Sequence, residues 1–535
     1  MTSFRCWLLA ALAASAVKAE SVQKSDLKLP PSASIHKAEV KDLFASSYEA
    51  YQKYAWGHDD LLPVSESYFD GRNGWGASIA DAMGTMWIMG FTDWFAQAVN
   101  HTANTDFSIS HTYDTVSLFE TTIRYVGGFI SAYELSGEQY PVLVEKAQDL
   151  ADQMTYAWVS QNQSIPYGYM DFNSHQPTIA TSNIAEAGTL TLEWNRLSLY
   201  TGNSTYQTLA EKSVQYMIHM ATPLPGMPAQ GINPGTGSPV GGYVTWGGGS
   251  DSYFEYLIKY ARLTNTDDNS YADTWLTAAD TSMKMLLRSS IVDDWLYLAD
   301  YDDDKKIRHV GSHLACFYGG NWILGGKLTN NATLVDIGLK LTDACWNTYA
   351  KTATGIGPEA FSYISSDGNY TGNTAPSQEQ LDFYYANGFY ITAPDYVLRP
   401  EVLESNFYAW RVTGDLKYFN NAVSATVSFK KYLSTTVAYT GIYDVNDVLS
   451  QKIDDMESFW FAEALKYLYL TFDDPKHISL DEYVFNTECH PFKAPPAKSN
   501  YGSGSEPKPV TGKPFSPESA PLPAVSPNPA LTSSI

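Results

Sequence analysis

Apolar and aromatic residues recur at helical spacing from about residue 35 to about residue 495. Five of these runs reach a residue that commonly stops a helix, at Gly137, Asn203, Asn265, Asn330 and Asp415. The first four stops lie about 65 residues apart, which suits two helices and their loops. Roughly seven such units fill the region, and one pair of helices alone cannot bury its apolar face. The pattern therefore predicts an all-α fold, an α/α barrel of helical hairpins in a closed ring, with long loops that carry function at one end.

Composition supports a large folded domain and argues against one class of partner. Of the 535 residues, 44% are hydrophobic and 14% aromatic, which is ample for a buried core. The formal net charge is −24, from 58 acidic and 34 basic residues. Nucleic acid is not expected as a partner, because its phosphates recruit Lys and Arg. The excess of acid is compatible with a site built from carboxylates.

The N-terminus is typical of a cleaved signal peptide over residues 1–19, followed by a short segment over 20–34. Arg5 gives a basic start, residues 7–17 are apolar, and small residues precede a cut after Ala19. A membrane anchor is the alternative, but this apolar run is about half of the roughly 20 residues that a span needs. Stable membrane insertion is therefore not expected. We expect a protein of the secretory pathway (secreted, vacuolar or in the Golgi lumen), and five sequons support this compartment: Asn100, Asn162, Asn203, Asn331 and Asn369.

The cysteines and the C-terminal composition complete the domain assignment. An oxidising compartment favours a disulfide between Cys316 and Cys345, which leaves Cys489 as a buried free thiol. Residues 35–495 form the predicted barrel domain. Pro, Ser and Gly dominate residues 496–535, so we expect a disordered tail there.

Several acidic residues stand at the predicted starts of helices. Asp251 follows three glycines, and Glu401 and Glu404 follow Pro400. Helix capping is one explanation, because negative charge near a helix N-terminus is favourable. The other is that successive hairpins bring carboxylates together at one end of the ring. Further candidates for that end are Glu120, Glu359 and Glu457.

Converging carboxylates repel one another unless a cation neutralises them, and Arg124, Arg399 or a metal ion is available for that. Such crowding also separates pKa values, which an acid and base couple needs. Hydrolysis of a glycosidic bond requires this couple, since one carboxylic acid protonates the leaving oxygen and another carboxylate activates water. The chain contains no G-x-S-x-G elbow, H-E-x-x-H zinc motif or P-loop. The acidic run 300–304 lacks the glycine and closing Glu of an EF-hand loop, so we interpret it as a solvated loop.

An ordered set of motifs resembles a known family over nearly all of residues 40–492. The blocks are AWGHDDLLPVSE (55–66), GWGASIADAMGTMWIMG (74–90), FETTIRYVGGFISAYELSG (119–137), SDSYFEYLIK (250–259), HLACF (313–317), LRPEVLES (398–405), MESFWFAEALKYLYL (456–470) and FNTECHPF (485–492). In this order they resemble the class I α-1,2-mannosidases, glycoside hydrolase family 47, of the fungal secreted or Golgi type.

The resemblance implies an (α/α)7 barrel, an inverting mechanism, and one Ca²⁺ that contacts sugar hydroxyls. The implied substrates are high-mannose N-glycans. The small residue at Gly249 predicts a pocket that admits several branches, and therefore trimming from nine mannoses towards five. We expect a monomer. By motif match, Glu120 is the general acid and Glu401 the base, while Asp251 and Glu359 match further catalytic positions. Which carboxylate has which role is disputed in the family. Thr487 matches the residue that binds calcium through its hydroxyl and its backbone carbonyl.

Further matches concern positions that bind substrate or the water network: Arg124, Glu186, Arg399, Glu404, Glu457 and Glu488. The Cys316 and Cys345 pair matches the family disulfide. Two positions depart from the pattern. Gly249 stands where the single-mannose enzymes carry Arg, which predicts a wider pocket, and Gly84 stands where the family often has Asp.

Two other functions remain to be weighed. A lectin-like quality-control relative of the same fold would bind mannose glycans without efficient hydrolysis, but such relatives tend to lack the cysteine pair. A glucoamylase-like α/α barrel would not explain FNTECHPF or the implied calcium. We therefore predict a hydrolase, and we expect His313 to support the site by hydrogen bonding rather than to react.

Overall fold

The computed structural model describes residues 21–373, 375–504 and 514–522. The predicted signal peptide, residues 1–19, lies outside the described residues. Within the described part of the chain, no helix has both the length and the apolar character to cross a membrane. The helices, in chain order, are α1 (Ala33–Tyr54), α2 (Ala77–Met89), α3 (Thr92–Asn104), α4 (Leu118–Glu120), α5 (Gly127–Leu135), α6 (Val142–Met154), α7 (Ile184–Gly188), α8 (Thr191–Thr201), α9 (Thr205–His219), α10 (Asp251–Thr264), α11 (Ser270–Met285), α12 (Tyr318–Leu328), α13 (Ala332–Ala350), α14 (Gln378–Asn387), α15 (Glu401–Thr413), α16 (Leu416–Tyr432) and α17 (Leu465–Phe472).

Short strands connect these helices in small antiparallel sheets. The strands are β1 (Asp60–Leu62), β2 (Ser67–Phe69), β3 (Val116–Ser117), β4 (Tyr169–Asp171), β5 (Gln176–Pro177), β6 (Ser182–Asn183), β7 (Gly231–Ile232), β8 (Pro239–Val240), β9 (Leu287–Ser289), β10 (Leu296–Leu298), β11 (Asp300–Tyr301), β12 (Ile307–Arg308), β13 (Val310–Ser312), β14 (Ala360–Ser362), β15 (Tyr390–Ala393), β16 (Tyr483–Phe485) and β17 (Pro491–Lys493). The sheets have the orders β1-β2, β3-β4-β5, β6-β7-β8, β9-β10, β11-β12, β13-β14-β15 and β16-β17. They lie in the loops between helices rather than in the core.

Two kinds of helix alternate along the chain and build the ring. The inner helices are buried nearly all round, as in α10, where every residue from Ser252 to Leu263 is buried. The outer helices bury one face at helical spacing, as in α3 with Phe95, Ala98, Val99 and Thr102. Each inner helix contacts the next, and the π-helical stretch before α17 contacts α2. The inner helices are α2, α5, α8, α10, α12, α15 and α17, and the outer helices are α1, α3, α6, α9, α11, α13 and α16.

The predicted (α/α)7 arrangement is therefore confirmed, and most of the predicted helix stops are too. Asn265 ends α10 with φ +49°, a left-handed conformation that Asn tolerates better than most residues. At two other stops the glycine one residue earlier takes that conformation, Gly202 after α8 and Gly414 after α15. Asp415 instead begins α16, because its side chain accepts a hydrogen bond from the Lys417 amide.

Both cysteine predictions are confirmed. Cys316 and Cys345 form a disulfide that joins the turn before α12 to α13, with their Cα atoms 5.9 Å apart. Cys489 is free and buried.

Two stretches of the predicted tail, 496–504 and 514–522, are described, and both contact the ring. The Tyr501 side chain is buried, its hydroxyl donates to the Asn265 side chain (2.6 Å), and its amide donates to the Leu328 carbonyl (3.1 Å). These contacts differ from the disorder expected of this composition, because one aromatic ring and the backbone groups suffice for packing. The rest of the tail lies outside the described residues.

Candidate active site

One cavity opens among the inner helices at the end of the ring where α7, α10 and α15 begin. Its wall includes apolar residues such as Phe119, Phe317 and Phe459 beside many charged groups. In the part of the chain that is described, two arginines, Arg124 and Arg399, are its cationic lining residues. Its acidic lining residues are Glu120, Glu186, Asp251, Glu255, Glu401, Glu404, Glu463 and Glu488. The cavity is thus strongly anionic, as the sequence predicts for this end of the ring.

The positions of these carboxylates follow from the helix starts. Asp251 and Glu401 are the first residues of α10 and α15, and Glu186 lies in the first turn of α7. The helix dipole favours negative charge there. Capping alone does not explain Asp251 and Glu401, since both line the cavity and neither serves as the N-cap of its helix. Favourable negative charge at helix starts and convergence of carboxylates at one end of the ring therefore both apply to these residues.

Glu120 lies among arginines. Its Oε2 accepts a hydrogen bond from Arg124 Nε (2.7 Å) and lies 3.8 Å from Arg72 Nε. Arg124 also donates to Glu488 Oε2 (2.7 Å), and it belongs to a π-helical turn over Thr121–Val126, a rare geometry often found at functional sites. Burial opposes ionisation of Glu120, but the charges of Arg124 and Arg72 outweigh it and lower the pKa of the Glu120 carboxyl. Glu120 is therefore an ionised, paired carboxylate.

Asp251 lies on the other side of the cavity in different surroundings. Its Oδ1 accepts from the Ser252 amide (2.9 Å) and from Ser252 Oγ (3.4 Å). Among the described residues, no cationic side chain forms an ion pair with it. Burial, with repulsion from Glu255 and Glu401, raises the pKa of Asp251 to about 7. Asp251 thus holds a proton at mildly acidic pH.

Glu401 is held by a histidine. His313 Nδ1 lies 2.7 Å from Glu401 Oε2, and His313 Nε2 lies 2.6 Å from the Tyr349 hydroxyl. Burial opposes ionisation, but the hydrogen bond from His313 and the charge of Arg399 lower the pKa of the Glu401 carboxyl. The supporting role predicted for His313 agrees with this geometry, and Glu401 is an oriented carboxylate.

The remaining wall contains Thr487 and five buried carboxyls, those of Glu186, Glu255, Glu404, Glu463 and Glu488. Burial, followed by repulsion from Glu255, raises the pKa of Glu404 well above its usual range. Burial and repulsion from Glu488 do the same for Glu463. Lys259 pairs with Glu255 and lies 3.9 Å from Glu404, which offsets part of this charge. An oxygen-rich, anionic pocket of this kind suits a hard cation.

Two predicted site residues do not line the cavity. Both oxygens of Glu359 accept from Arg399 Nε (2.8 and 2.6 Å), and Glu457 Oε2 accepts from Arg72 Nη2 (2.8 Å). Glu359 therefore pairs with Arg399, which lines the cavity, and Glu457 pairs with Arg72. The predicted residues that do line the cavity are Glu120, Arg124, Glu186, Asp251, Arg399, Glu401, Glu404, Thr487 and Glu488.

Sequence reasoning missed other parts of the site. Glu255 lines the cavity one helical turn beyond Asp251, so the spacing i, i+4 could have indicated it. Glu463 also lines the cavity and lies within a π-helical turn, Trp460–Ala464, that no sequence pattern indicates. Asp81 lies behind the wall, 3.3 Å from Arg124 Nη1 and 3.2 Å from His490 Nε2. Such support depends on tertiary packing.

Comparisons with known proteins agree with this geometry. A model of the family described as Glycosyl hydrolase family 47 matches residues 43–494. The chain is 39% identical over 488 residues to a probable mannosyl-oligosaccharide alpha-1,2-mannosidase 1B of Aspergillus clavatus, covering 86% of this chain and 93% of that one. It is 39% identical over 475 residues to mannosyl-oligosaccharide alpha-1,2-mannosidase 1B of Emericella nidulans, with 85% and 92% covered. The solved structure of an alpha-1,2-mannosidase from Trichoderma reesei superposes with a TM-score of 0.83 at 37% identity, covering 86% of this chain and 99% of that chain.

Proposed function

Because the chain belongs to glycosyl hydrolase family 47, we propose that it removes terminal α-1,2-linked mannose from high-mannose N-glycans. Relatives that match over more than four-fifths of the chain carry the name of this activity. One observation carries the proposal within the molecule. A single cavity contains a carboxyl that holds its proton, Asp251, and an oriented ionised carboxylate, Glu401. Hydrolysis of a glycosidic bond requires that combination.

The proton donor in this proposal is Asp251. Its neutral carboxyl protonates the glycosidic oxygen as the bond to the anomeric carbon breaks. Glu120, the acid implied by motif resemblance, is ionised and paired with Arg124, so its surroundings favour charge stabilisation over donation. We therefore assign Glu120 the task of orienting Arg124 and the sugar.

The base is Glu401. It accepts a proton from water, and the water oxygen attacks the anomeric carbon from the face opposite the leaving group. His313 fixes the Glu401 carboxylate by hydrogen bonding, and Tyr349 fixes His313 in turn. Attack from the opposite face inverts the anomeric configuration, so the proposed enzyme is inverting.

The residues present fit a bound Ca²⁺. In the described part of the chain, no three His, Cys, Asp or Glu side chains form a metal-binding group. Thr487 nevertheless lines the cavity and offers hydroxyl and carbonyl oxygens, while Glu404, Glu463 and Glu488 surround the same space with pKa values raised by burial. Calcium accepts such oxygen ligands together with water. When bound, it would contact sugar hydroxyls and offset the carboxylate charge.

Gly249 supports a proposal about product range. It lines the cavity, and without a side chain it leaves space for several glycan branches, so trimming would proceed from nine mannoses towards five. Its φ of +83° also favours glycine. A Gly249→Arg variant should release fewer mannoses, and Gly249→Ala is the control that shares the backbone strain without the long side chain. If both variants give the wild-type product ladder, the residue does not set the range.

The compartment also forms part of the proposal. A secretory route (secreted, vacuolar or Golgi lumen) accounts for the sequons, of which Asn100, Asn162 and Asn369 are exposed. Asn203 and Asn331 are partly buried but remain candidate glycosylation sites. We propose that the protein acts as a monomer.

The test is mannose release from a nine-mannose glycan by the purified protein, with EDTA, and with EDTA followed by calcium. Release should stop with EDTA and return with calcium. Thr487→Val should weaken calcium binding, measured by calorimetry, while Thr471→Val, which removes a buried hydroxyl outside the cavity, should leave it unchanged. Glycan binding without release under every condition would instead support the lectin-like alternative.

A further inference from the structure

The sheet β6-β7-β8 supports one wall of the cavity. Ser182 pairs with Ile232 in this sheet, and Gly231 pairs with Val240. The Asn183 side chain accepts from the Glu186 amide (2.8 Å), and Ser182 Oγ donates to Glu186 Oε2 (2.7 Å). Since Asn183 and Glu186 both line the cavity, this sheet holds part of its wall.

The same sheet also holds the glycine turn before Asp251. The Ala185 amide donates to the Gly249 carbonyl (3.1 Å), and the Gln230 side chain donates to the Gly248 carbonyl (2.7 Å). A shift of the sheet would therefore move both parts of this wall. Because each strand has only two residues, the sheet has few hydrogen bonds of its own.

Residues 514–522 lie across this sheet, and we call them the C-terminal strap. The Glu518 amide donates to the Pro239 carbonyl (2.8 Å), and the Gly241 amide donates to the Glu518 carbonyl (3.1 Å). These bonds form a parallel bridge at β8. The strap thereby satisfies backbone groups of an edge strand that would otherwise face solvent.

The side chain of Glu518 is recognised as well. Asn233 Nδ2 donates to Glu518 Oε2 (2.7 Å), and Thr236 Oγ1 donates to Glu518 Oε1 (2.8 Å). These hydrogen bonds lower the pKa of Glu518. Both carboxylate oxygens are bound by one loop, so this attachment is specific for an acidic residue at position 518.

The strap then reaches the opposite strand of the sheet. The Pro521 carbonyl accepts from Thr181 Oγ1 (2.7 Å), one residue before β6. Leu522 covers Gly231 of the middle strand so closely that a side chain at position 231 would collide with it. Within five residues the strap thus contacts β8, β7 and the residue before β6.

The acidic run 300–304 forms hydrogen bonds with the loop that follows β8, beside the residue that the strap binds. Asp303 Oδ1 accepts from the Gly242 amide, next to the Gly241 amide that the strap binds, and Asp300 accepts from the Tyr243 hydroxyl. The interpretation of this run as a solvated loop is therefore wrong for Asp300, which lies in β11 and is partly buried, whereas Asp303 is exposed. The run and the strap hold two neighbouring amides of the loop that leads to the cavity.

We propose that the C-terminal strap is a specificity-determining element that keeps the Asn183, Glu186 and Gly249 wall in place for branched glycans. The inference rests on the proposed function for its substrate. We expect a disaccharide to bind at Asp251 and Glu401 without depending on the wall that the strap supports. A branched glycan uses that wall, so losing the strap raises its KM by about fivefold, the cost of ordering one or two side chains on binding.

The experiment compares the full chain with two truncations and one substitution. Ending the chain after residue 504 removes the strap, while ending it after residue 523 keeps the strap and serves as the control. Glu518→Ala removes the recognised carboxylate. For each protein, kcat and KM are measured with a nine-mannose glycan and with α-1,2-mannobiose, and hydrogen exchange is measured over residues 230–245.

The chain ending at 504 should show a KM for the large glycan raised about fivefold, with the disaccharide unchanged and with faster exchange over 230–245. A synthetic peptide of residues 514–523 should reverse both effects. Glu518→Ala should give a smaller shift in the same direction. Equal KM values and equal exchange in the 504 and 523 chains would overturn the proposal, as would an equal loss for both substrates. Inactivity of the full chain on both substrates would contradict the proposed function instead, and the exchange comparison would still test the docking of the strap.

Discussion

Glu120 and Asp251 line the same cavity, but their surroundings differ in charge. Glu120 is paired with Arg124, and Arg72 lies near it, so it is ionised. Among the described residues, Asp251 accepts hydrogen bonds from Ser252 alone, and burial raises its pKa to about 7. The difference shows how one cavity separates two carboxyls of the same chemistry, by placing Arg124 and Arg72 within ion-pair distance of Glu120 and no arginine that close to Asp251 among the described residues.

The largest effect should come from removing the protonated carboxyl. Asp251→Asn should lower kcat by about 10³-fold, because the leaving oxygen then lacks its acid. Glu120→Gln should lower kcat by about 10²-fold, because Arg124 loses one of its carboxylate partners while the acid remains. An activated mannoside whose leaving group needs no proton separates the roles. It should restore most of the rate of Asp251→Asn and little of that of Glu120→Gln. The reverse pattern would make Glu120 the acid, as the motif resemblance implies.

The pH profile sharpens the same comparison. The rate should fall tenfold per pH unit above about pH 7, because Asp251 must hold its proton and its pKa is about 7. On the acid side, the rate should persist below pH 4.5, because the pKa of Glu401 lies under its usual value and the base must be ionised. Measuring kcat/KM from pH 3 to pH 9 tests both limbs. An alkaline limb that is unchanged in Asp251→Asn would show that another group sets it.

A smaller effect on the rate should follow from removing the hydrogen bond between His313 and Glu401, the proposed base. His313→Gln removes the hydrogen bond and charge that favour ionised Glu401, so kcat should fall about tenfold and the acid limb should move to higher pH. His58→Gln is the matched control, because His58 contacts Asp70 and does not line the cavity. A loss of rate without movement of the acid limb would indicate that His313 only supports packing.

The sequence predicts the ring and most of the wall because both follow from local patterns. Helical periodicity indicates the hairpins, and acidic residues at helix starts indicate Asp251 and Glu401. The same signal does not tell whether a carboxylate lines the cavity or pairs with an arginine, as Glu359 pairs with Arg399. The Pro- and Ser-rich composition of 496–535 predicts disorder. Composition does not indicate that the edge of β8 and the loop that binds Glu518 offer hydrogen-bond partners to part of this segment.

The smallest effect concerns Lys466, a buried cation that forms no ion pair with an acidic side chain among the described residues. Lys466 donates to the Cys489 carbonyl (2.6 Å), and burial lowers its pKa below the ordinary 10.5. Gly84 faces it, since a Cβ at this position would lie 3.9 Å from Lys466 Nζ and 3.6 Å from Leu135. Gly84→Ala should stabilise the fold by about 0.5–1 kcal/mol through helix propensity alone.

Gly84→Asp adds a carboxylate beside Lys466 and should exceed the alanine variant by about 1 kcal/mol. The folded pKa of Lys466 now lies below its unfolded value, so its charged form is disfavoured in the fold at neutral pH. An acidic partner raises that folded pKa, so relative to Gly84→Ala the added stability is fully present below the lowered folded pKa of Lys466 and is lost as the pH rises through the raised value. Thermal unfolding of the three proteins at pH 7 measures the difference. If Gly84→Asp unfolds below Gly84→Ala, desolvation of the new carboxylate exceeds the pairing, and the Lys466 environment tolerates a cation without needing an acid.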